Sequence, residues 1–196
     1  MSDSSNKKEK RIEILKVAKR IFAHYGFKKT SMDDIAVDMG LAKTSLYYYF
    51  KSKNKLFKAV IEYESEILLA KLKEEVDKQD SPEEKIKSFF ITRMEYLKNF
   101  INLYKLTTTI AKEVLSHAEE TRIKFIDAEK KIILEILNMG LDKEIFEINN
   151  PELVALGLIA SIKGLESSIL SHEDRDIISS NFEEMLVVLL HGIIKK

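Results

Sequence analysis

The sequence TSMDDIAVDMGLAKTSLYYYFKSKNKLF, which runs from Thr30 to Phe57, decides the fold of this chain. Apolar residues at helical spacing occur on both sides of Gly40, and a glycine readily adopts the backbone conformation that ends a helix. A second helix can begin near Lys43, after a gap of only turn length. The segment therefore predicts a helix-turn-helix, in which two short helices are joined by a tight turn.

The first of these two helices carries a capping signal at its start. Either Thr30 or Ser31 can act as the N-cap, because a side-chain hydroxyl there accepts a backbone N–H of the first turn. An acidic residue shortly afterwards, Asp33 or Asp34, would complete a capping box. We therefore predict that this helix begins near Met32.

The second helix separates buried from exposed side chains. Leu46 and Phe50 lie four residues apart and share one face, which we expect to be buried. The polar residues near the N-terminus of the helix face outward, as they do in a helix that enters the major groove of DNA. We expect these outward residues to contact base edges and the nearby backbone: Lys43, Thr44, Ser45 and Tyr48.

The spacing of the segment resembles that of the TetR family of transcriptional regulators. The pattern T-x-x-x-x-I-A-x-x-x-G-x-x-x-x-x-L-Y-x-Y-F-x-x-K-x-x-L is met by Thr30, Ile35, Ala36, Gly40, Leu46, Tyr47, Tyr49, Phe50, Lys53 and Leu56. Ala42 stands where the family often has a capping Ser, which should cost about 1 kcal/mol of local helix stability. The resemblance implies an all-α, nine-helix architecture, with a three-helix DNA-binding head at residues 1–52 and a ligand-binding and dimerisation body at residues 53–196.

Helix geometry and the resemblance together predict an interface with a double-stranded DNA operator. Lys53 is expected to hold a phosphate, because it begins the next helix, where free N–H groups favour an anion. A dimer would set two recognition helices into successive major grooves, about 34–36 Å apart. The predicted DNA-binding residues are Thr30, Ser31, Lys43, Thr44, Ser45, Tyr47, Tyr48, Tyr49 and Lys53.

The net charge of zero conceals a strong division of charge along the chain. Residues 1–60 contain 14 Lys and Arg against 6 Asp and Glu, whereas residues 61–196 contain 18 against 26. A basic head on an acidic body is the distribution expected when one end of a protein binds a polyanion. A chance distribution of solvated helix charges is the alternative explanation.

Composition and motifs argue against an enzyme. The chain has no Cys, which removes disulfides, thiolate catalysis and Cys-based metal sites. Neither a glycine-rich phosphate loop nor a nucleophile elbow occurs, and the four His residues lack metal-ligand spacing. The polar N-terminus and the short apolar runs favour neither export nor a membrane span. We predict a cytoplasmic protein with no cofactor and no metal.

Helical periodicity and capping signals predict nine helices after a disordered N-terminal tail. Outside the helix-turn-helix, they are expected at about Lys8–Tyr25, Lys53–Lys78, Pro82–Phe100, Leu103–Leu115, Ala118–Met139, Pro151–Leu170 and Arg175–Ile194. Gly140 should close the helix before it, and Asn150 should cap the helix after it. We expect Tyr25 to join the core of the head, and Ile67 to lie on the buried face of the long bridging helix.

The last two predicted helices are apolar over more than one face, so each must be covered on both sides. Burial within the protomer is one explanation. The resemblance implies instead a homodimer in which these helices form a four-helix bundle, with small residues allowing close approach. The predicted interface comprises Leu156, Gly157, Ala160, Gly164, Phe182, Met185 and Leu189.

Aromatic, Met and sparse polar residues in the body are typical of a small-molecule pocket, although an ordinary core has the same composition. The predicted ligand contacts are Phe90, Met94, Phe100, Tyr104, Thr108, His117 and Phe125. We therefore expect a repressor that a small apolar inducer releases from a palindromic operator. The alternative is a constitutive DNA-binding protein whose body is only structural and dimerising.

Overall fold

A computed structural model describes the backbone of residues 2–104, 119–171, 184, 186–188 and 190–194, and their side chains except at residues 2–4, 98–104, 119 and 167–171. Helices in this part of the chain are α1 (Ser2–Tyr25), α2 (Met32–Asp38), α3 (Lys43–Tyr49), α4 (Lys53–Asp77), α5 (Pro82–Tyr104), α6 (Glu119–Asp142) and α7 (Pro151–Ser171). Residues 184, 186–188, 190 and 191 are also helical. The described residues are all-α, as expected.

Helices α1, α2 and α3 enclose the small apolar core of the head. The rings of Phe22 and Phe57 meet edge to face in it, with centroids 5.0 Å apart. Tyr25 does not join this core as expected, because it is the last residue of α1 and its side chain is 60% exposed. The fully or almost fully buried members include Ile14, Leu15, Ala18, Phe22, Ile35, Leu46 and Leu56.

Helix α1 begins at Ser2, so the expectation of a disordered tail before Lys8 is wrong. In the first turns, the hydroxyl of Ser5 donates to the carboxylate of Glu9 at 3.2 Å. The carboxylate of Glu13 also pairs with the ammonium of Lys10, one turn earlier, at 2.8 Å. These turns carry basic side chains past the core of the head.

Helix α4 connects the head to the body. Its N-cap is Ser52, whose side chain accepts the N–H of Lys55 at 3.2 Å. Leu56, Phe57, Ala59 and Val60 join the core of the head, whereas Leu68, Leu72 and Val76 join that of the body. Ile67, expected to be buried, is 39% exposed because it lies off this stripe. The two cores therefore divide inside α4, and a boundary at residue 52 remains a prediction.

Helix α5 begins where expected and ends later than expected. The Ser81 hydroxyl accepts the N–H of Glu84 at 3.2 Å, which caps the first turn. The helix then continues to Tyr104, so the expected break between Phe100 and Leu103 is wrong; residues 98–104 contain neither Gly nor Pro to stop it. The rest of the helix predicted at Leu103–Leu115 lies outside the described residues.

Helix α6 continues beyond Gly140, which therefore does not close it. A Schellman motif ends the helix instead: the N–H of Ile145 donates to the Gly140 carbonyl at 2.8 Å, and that of Glu144 donates to the Leu141 carbonyl at 2.9 Å. Glu144 takes the left-handed position, with φ 55°. Gly140 is required for another reason, because a Cβ there would overlap the ring of Phe146.

The loop after α6 joins the C-terminal segment, residues 184, 186–188 and 190–194, to the body. Phe146 and Ile194 form an isolated antiparallel bridge, and the N–H of Glu147 donates to the carbonyl of Ile193 at 2.9 Å. After the loop, the Asn150 side chain accepts the N–H of Leu153 at 3.0 Å, which confirms the predicted cap of α7.

Candidate nucleic-acid interface

The turn between α2 and α3 has the geometry that the sequence predicts. Ser31 is the N-cap of α2: its hydroxyl accepts the N–H of Asp34 at 3.1 Å, and the Asp34 carboxylate accepts the N–H of Ser31 at 2.7 Å. The Ser31 hydroxyl also donates to the Asp34 carboxylate at 2.7 Å, and this bond, together with the one from the Ser31 N–H, lowers the pKa of Asp34. Gly40 has φ 62°, a conformation that favours glycine. Ala42 is the N-cap of α3 and forms no side-chain hydrogen bond, as expected.

Helix α3 presents the predicted set of side chains outward. Leu46 is 0% exposed and Phe50 is 4% exposed, so its inner face is anchored in the core of the head. Tyr48 is 60% exposed on the opposite side. Three further exposed residues occupy the first turn of this helix: Lys43, Thr44 and Ser45.

Lys43 is held at the start of α3 by an ion pair. Its ammonium donates to the carboxylate of Asp33 on α2 at 2.8 Å. This hydrogen bond is the main reason why the pKa of Lys43 lies above its ordinary value. Both side chains are more than half exposed, so water and salt screen the pair and a phosphate or a base can compete for the ammonium.

Thr30 and Ser31 are placed differently from the outward side chains of α3. The DNA contact of Thr30 stays a prediction. Thr30 is 2% exposed, and its hydroxyl donates to the carbonyl of Gly26 at 2.9 Å. This bond satisfies a carbonyl at the end of α1. Ser31 is exposed, with its hydroxyl engaged in the cap of α2. Both residues therefore position α2 within the head.

The remaining predicted DNA-binding residues, Tyr47, Tyr49 and Lys53, are only partly exposed. Tyr47 and Tyr49 are half-buried. The Lys53 ammonium donates to the carbonyl of Phe27 at 3.0 Å and lies 4.4 Å from the centre of the Phe27 ring. Lys53 therefore links the start of α4 to the loop after α1. An ammonium has three N–H donors, so this single bond does not exhaust its capacity to bind a phosphate.

The predicted ligand residues that the structure describes lie together in the core of the body. Phe90, Met94 and Phe125 are buried there. The side chains of Phe100 and Tyr104, and the whole of Thr108 and His117, lie outside the described residues.

A charged cluster that the sequence did not reveal lies beside them. The Arg93 side chain, 5.3 Å from the centre of the Phe125 ring, donates to Glu129 at 2.6 Å and also to Glu166. Burial raises the pKa of Glu129 to about 7, against the opposing effect of Arg93. Burial alone would lower the pKa of Arg93, but Glu166 and Glu129 raise it above its ordinary value. The sequence did not reveal the cluster because Glu129 and Glu166 lie 36 and 73 positions from Arg93 along the chain.

Predicted dimer residues lie on the outer face of α7. Leu156 is 56% exposed, and Gly157, Ala160 and Gly164 are exposed. A Cβ built on Gly157 or Gly164 would meet no atom within 4 Å. Phe182, Met185 and Leu189 lie outside the described residues.

Comparison with known proteins identifies the family. The profile described as "Bacterial regulatory proteins, tetR family" matches residues 14–60, and these residues form the core of the head and the whole helix-turn-helix. The chain belongs to the TetR family. The same expectation, drawn from the spacing of residues between Thr30 and Leu56, is thereby confirmed.

Relatives of this TetR-family chain extend the likeness to the body. It is 25% identical over 141 residues to the HTH-type transcriptional repressor KstR2 of Mycobacterium tuberculosis, covering 70% of this chain and 69% of that one. A transcriptional regulator from Cytophaga hutchinsonii has the same fold with a TM-score of 0.81, 28% identity and coverage of 95% and 99%. A candidate fatty acid metabolism regulator from Clostridium perfringens matches with a TM-score of 0.65, 28% identity and coverage of 93% and 99%.

The TetR-family chain is accordingly a DNA-binding transcriptional regulator and not an enzyme. The relatives are regulators, and the matched residues include the helix-turn-helix formed by α2 and α3. None of the helices in the described ranges combines the length and the apolar character needed to cross a bilayer.

Proposed function

We propose that this TetR-family regulator is a cytoplasmic, ligand-responsive repressor that a small apolar inducer releases from a palindromic operator. The observation that supports its mode of DNA binding is the exposed set on α3. Lys43, Thr44, Ser45 and Tyr48 stand on a helix that two buried side chains fix to the head. Side chains at these positions would reach base edges in the major groove, while Tyr47, Tyr49 and Lys53 would contact phosphates.

Two copies of the head are needed to specify an operator, and the outer face of α7 supplies a surface for pairing. Leu153, Leu156, Gly157, Ala160 and Gly164 follow one another at helical spacing and are all exposed in the protomer. Such a stripe of apolar and small residues favours close packing against the same helix of a second copy. The exposed Val187 and Val188 of the C-terminal segment extend the apolar surface.

The core of the body supports the binding of a mainly apolar ligand. The charged cluster of Arg93, Glu129 and Glu166 contacts this apolar core at Phe125, whose ring centre lies 5.3 Å from the Arg93 guanidinium, so one polar group of a ligand could be oriented beside apolar side chains. The similarity to the candidate fatty acid metabolism regulator of Clostridium perfringens favours a fatty acyl compound over a polar metabolite.

Contacts between head and body offer a route from ligand to DNA. Glu64 of α4 accepts the ammonium of Lys19 from α1 at 2.8 Å and the hydroxyl of Tyr96 from α5 at 2.7 Å, both on Oε2. A ligand that shifts α5 would therefore change a contact made by the head. The ligand can change operator affinity only by as much as its affinities for the two states differ.

The test is a titration of operator binding with lipophilic compounds. Compounds that raise the thermal unfolding temperature would be selected first and then added to a labelled complex of the protein with its selected DNA site. Coupling of about 1–3 kcal/mol would release the DNA by roughly 5- to 150-fold. Compounds that stabilise the protein but leave DNA binding unchanged would favour the alternative, a constitutive DNA-binding protein with a structural body.

The same DNA assay tests the assigned roles. Lys43→Ala and Tyr48→Ala should each lose about 1–3 kcal/mol on the selected site, with less effect on random DNA. Lys53→Ala should weaken binding to both duplexes alike, because phosphate contacts carry no sequence information. A change of sequence preference in Lys53→Ala would contradict this assignment.

A further inference from the structure

One face of the N-terminal turns of α1 runs alongside the recognition helix. Lys7 and Arg11 lie four residues apart, and Ile14, three residues further along the same face, is fully buried in the core of the head. The Lys7 ammonium donates to the Tyr48 hydroxyl at 3.0 Å and lies 4.7 Å from the centre of its ring. The Arg11 guanidinium lies 4.9 Å from the centre of the Phe50 ring. The face that is apolar inside the head thus becomes basic where it passes α3.

Lys10 of α1 lines a concave surface between α1 and α3. This surface encloses about 490 Å³ and is lined by Lys10, Leu41, Thr44, Ser45, Tyr48 and Tyr49. The lining includes no acidic residue. Lys10 is paired with Glu13 at 2.8 Å, but both side chains are about a third or more exposed. An exposed pair of this kind contributes little, so the ammonium can exchange its partner for a phosphate.

We propose that Lys7, Lys10 and Arg11 form a second DNA-contacting element, the N-terminal basic edge, which binds backbone phosphates beside the groove that α3 enters. The proposal rests on the docking of α3 proposed above. Tyr48 is both a predicted groove contact and the hydrogen-bond partner of Lys7, so DNA that reaches Tyr48 comes within reach of the edge. Because Lys7 donates to the Tyr48 oxygen, the hydroxyl proton of Tyr48 points elsewhere and can be donated to DNA.

Duplex DNA is the partner that the charge and position of the edge favour. The edge is continuous with α3 through direct contacts, and it belongs to the 60-residue segment in which 14 basic residues face 6 acidic ones. Lys and Arg side chains next to a recognition element typically fix its register on the phosphate backbone. Their binding to phosphates releases counterions and makes affinity depend on salt.

The experiment compares the salt dependence of DNA binding by the full chain and by Lys7→Gln, Lys10→Gln, Arg11→Gln and the triple variant. Fluorescence anisotropy would use two probes: a duplex selected from a random library with the wild-type protein, and a random-sequence duplex of equal length. Each phosphate contact that is lost should reduce the slope of log affinity against log salt by about 0.9, on both duplexes. Lys73→Gln is the matched control, because it removes one exposed charge from the body half of α4 and should leave the slope unchanged.

Tyr48→Phe separates direct phosphate binding from positioning of Tyr48. This variant breaks the bond to Lys7 but keeps its charge, so the phosphate contact of Lys7, and with it most of the slope, should persist. A triple variant with the wild-type slope, beside steep wild-type binding, would overturn the basic edge and leave the docking of α3 intact. Loss of affinity for the selected duplex alone would also overturn it. A flat wild-type response would instead refute the docking of α3 itself. Far-UV circular dichroism checks that each variant keeps its helices.

Discussion

At the scale of single residues, the charged cluster in the body places a titratable group where solvent cannot reach it. Glu129 has a side chain only 2% exposed, and it shares Arg93 with Glu166. Desolvation of its carboxylate outweighs the attraction of Arg93, so burial raises the pKa of Glu129 from 4.5 to about 7. The folded body therefore holds a proton near neutral pH that the unfolded chain would release.

The stability of the body should consequently depend on pH. Because the pKa of Glu129 is raised on folding, its favourable contribution is present below about pH 4.5 and is lost as the pH rises towards about 7. Glu129→Gln is neutral at every pH and should remove this slope. Thermal unfolding of both proteins between pH 5 and 8 tests the point: the melting temperature of the wild type should fall relative to that of the variant. Parallel profiles would contradict the raised pKa.

At the scale of helices, the two capping sites of the helix-turn-helix differ in chemistry. Ser31 forms a complete capping box at the start of α2, whereas Ala42 offers no side-chain acceptor at the start of α3. The recognition helix is therefore held by its buried face and by the turn before it. No side chain caps its first turn, in which the N–H of Ser45 donates to the carbonyl of Ala42 at 2.9 Å.

Reciprocal substitutions should shift stability in opposite directions. Ser31→Ala should lower the free energy of unfolding by about 1 kcal/mol, and Ala42→Ser should raise it by about 0.5–1 kcal/mol, because a hydroxyl at an N-cap satisfies a free N–H. Urea denaturation followed by circular dichroism measures both changes. If both substitutions changed the free energy of unfolding in the same direction, the difference between the two helix starts would not be due to N-capping.

The sequence was informative where structure is decided locally. Ser31 and Asn150 are caps as predicted, because the groups that they bind lie within three residues. Gly140 was predicted to end a helix, and this was wrong. A glycine is needed there because the following loop packs the ring of Phe146 against it. The contact between Lys7 and Tyr48 joins residues 41 positions apart, and no local pattern could reveal it.

At the scale of the whole molecule, α4 is fastened on both sides where head meets body. Oε2 of Glu64 receives Lys19 and Tyr96, while its buried Oε1 has no hydrogen-bond partner within the described part of the chain. On another side of the same helix, Lys58 donates to Glu120 at 3.1 Å. The hydrogen bond from Lys124 at 2.8 Å, followed by the one from Lys58, lowers the pKa of Glu120 to about 2.

Removing either donor to Glu64 should destabilise the protein. Tyr96→Phe should cost about 1–3 kcal/mol of unfolding free energy, as should Lys19→Met, because each leaves a buried carboxylate less well paired. The double variant should be non-additive by about 0.5–3 kcal/mol, since both donors act on one oxygen. Tyr25→Phe, at a residue that is 60% exposed, is the control and should change little. Strict additivity in urea denaturation would argue against a shared contact.

Assembly can be separated from folding at Gly164. A Cβ at this position would meet no atom within 4 Å in the protomer, so Gly164→Arg should keep its helical content. Across a dimer interface the same charge would be buried, so the variant should sediment as a monomer and lose operator binding. Glu66→Arg, on the exposed side of α4, is the matched control and should remain dimeric. Dimeric Gly164→Arg would exclude this face of α7.

The ring of Phe146 against Gly140 also bears on how this protein can evolve. Every side chain larger than hydrogen at Gly140 collides with that ring, whatever its polarity. Gly157 and Gly164 have open space around them in a single protomer. Mutational tolerance at the three glycines should therefore depend on the trait under selection: Gly140 is constrained by survival of the fold, whereas the glycines of α7 are constrained only when paired heads must act on DNA. A lineage that lost its operator could accumulate substitutions at Gly157 and Gly164 but would still retain Gly140.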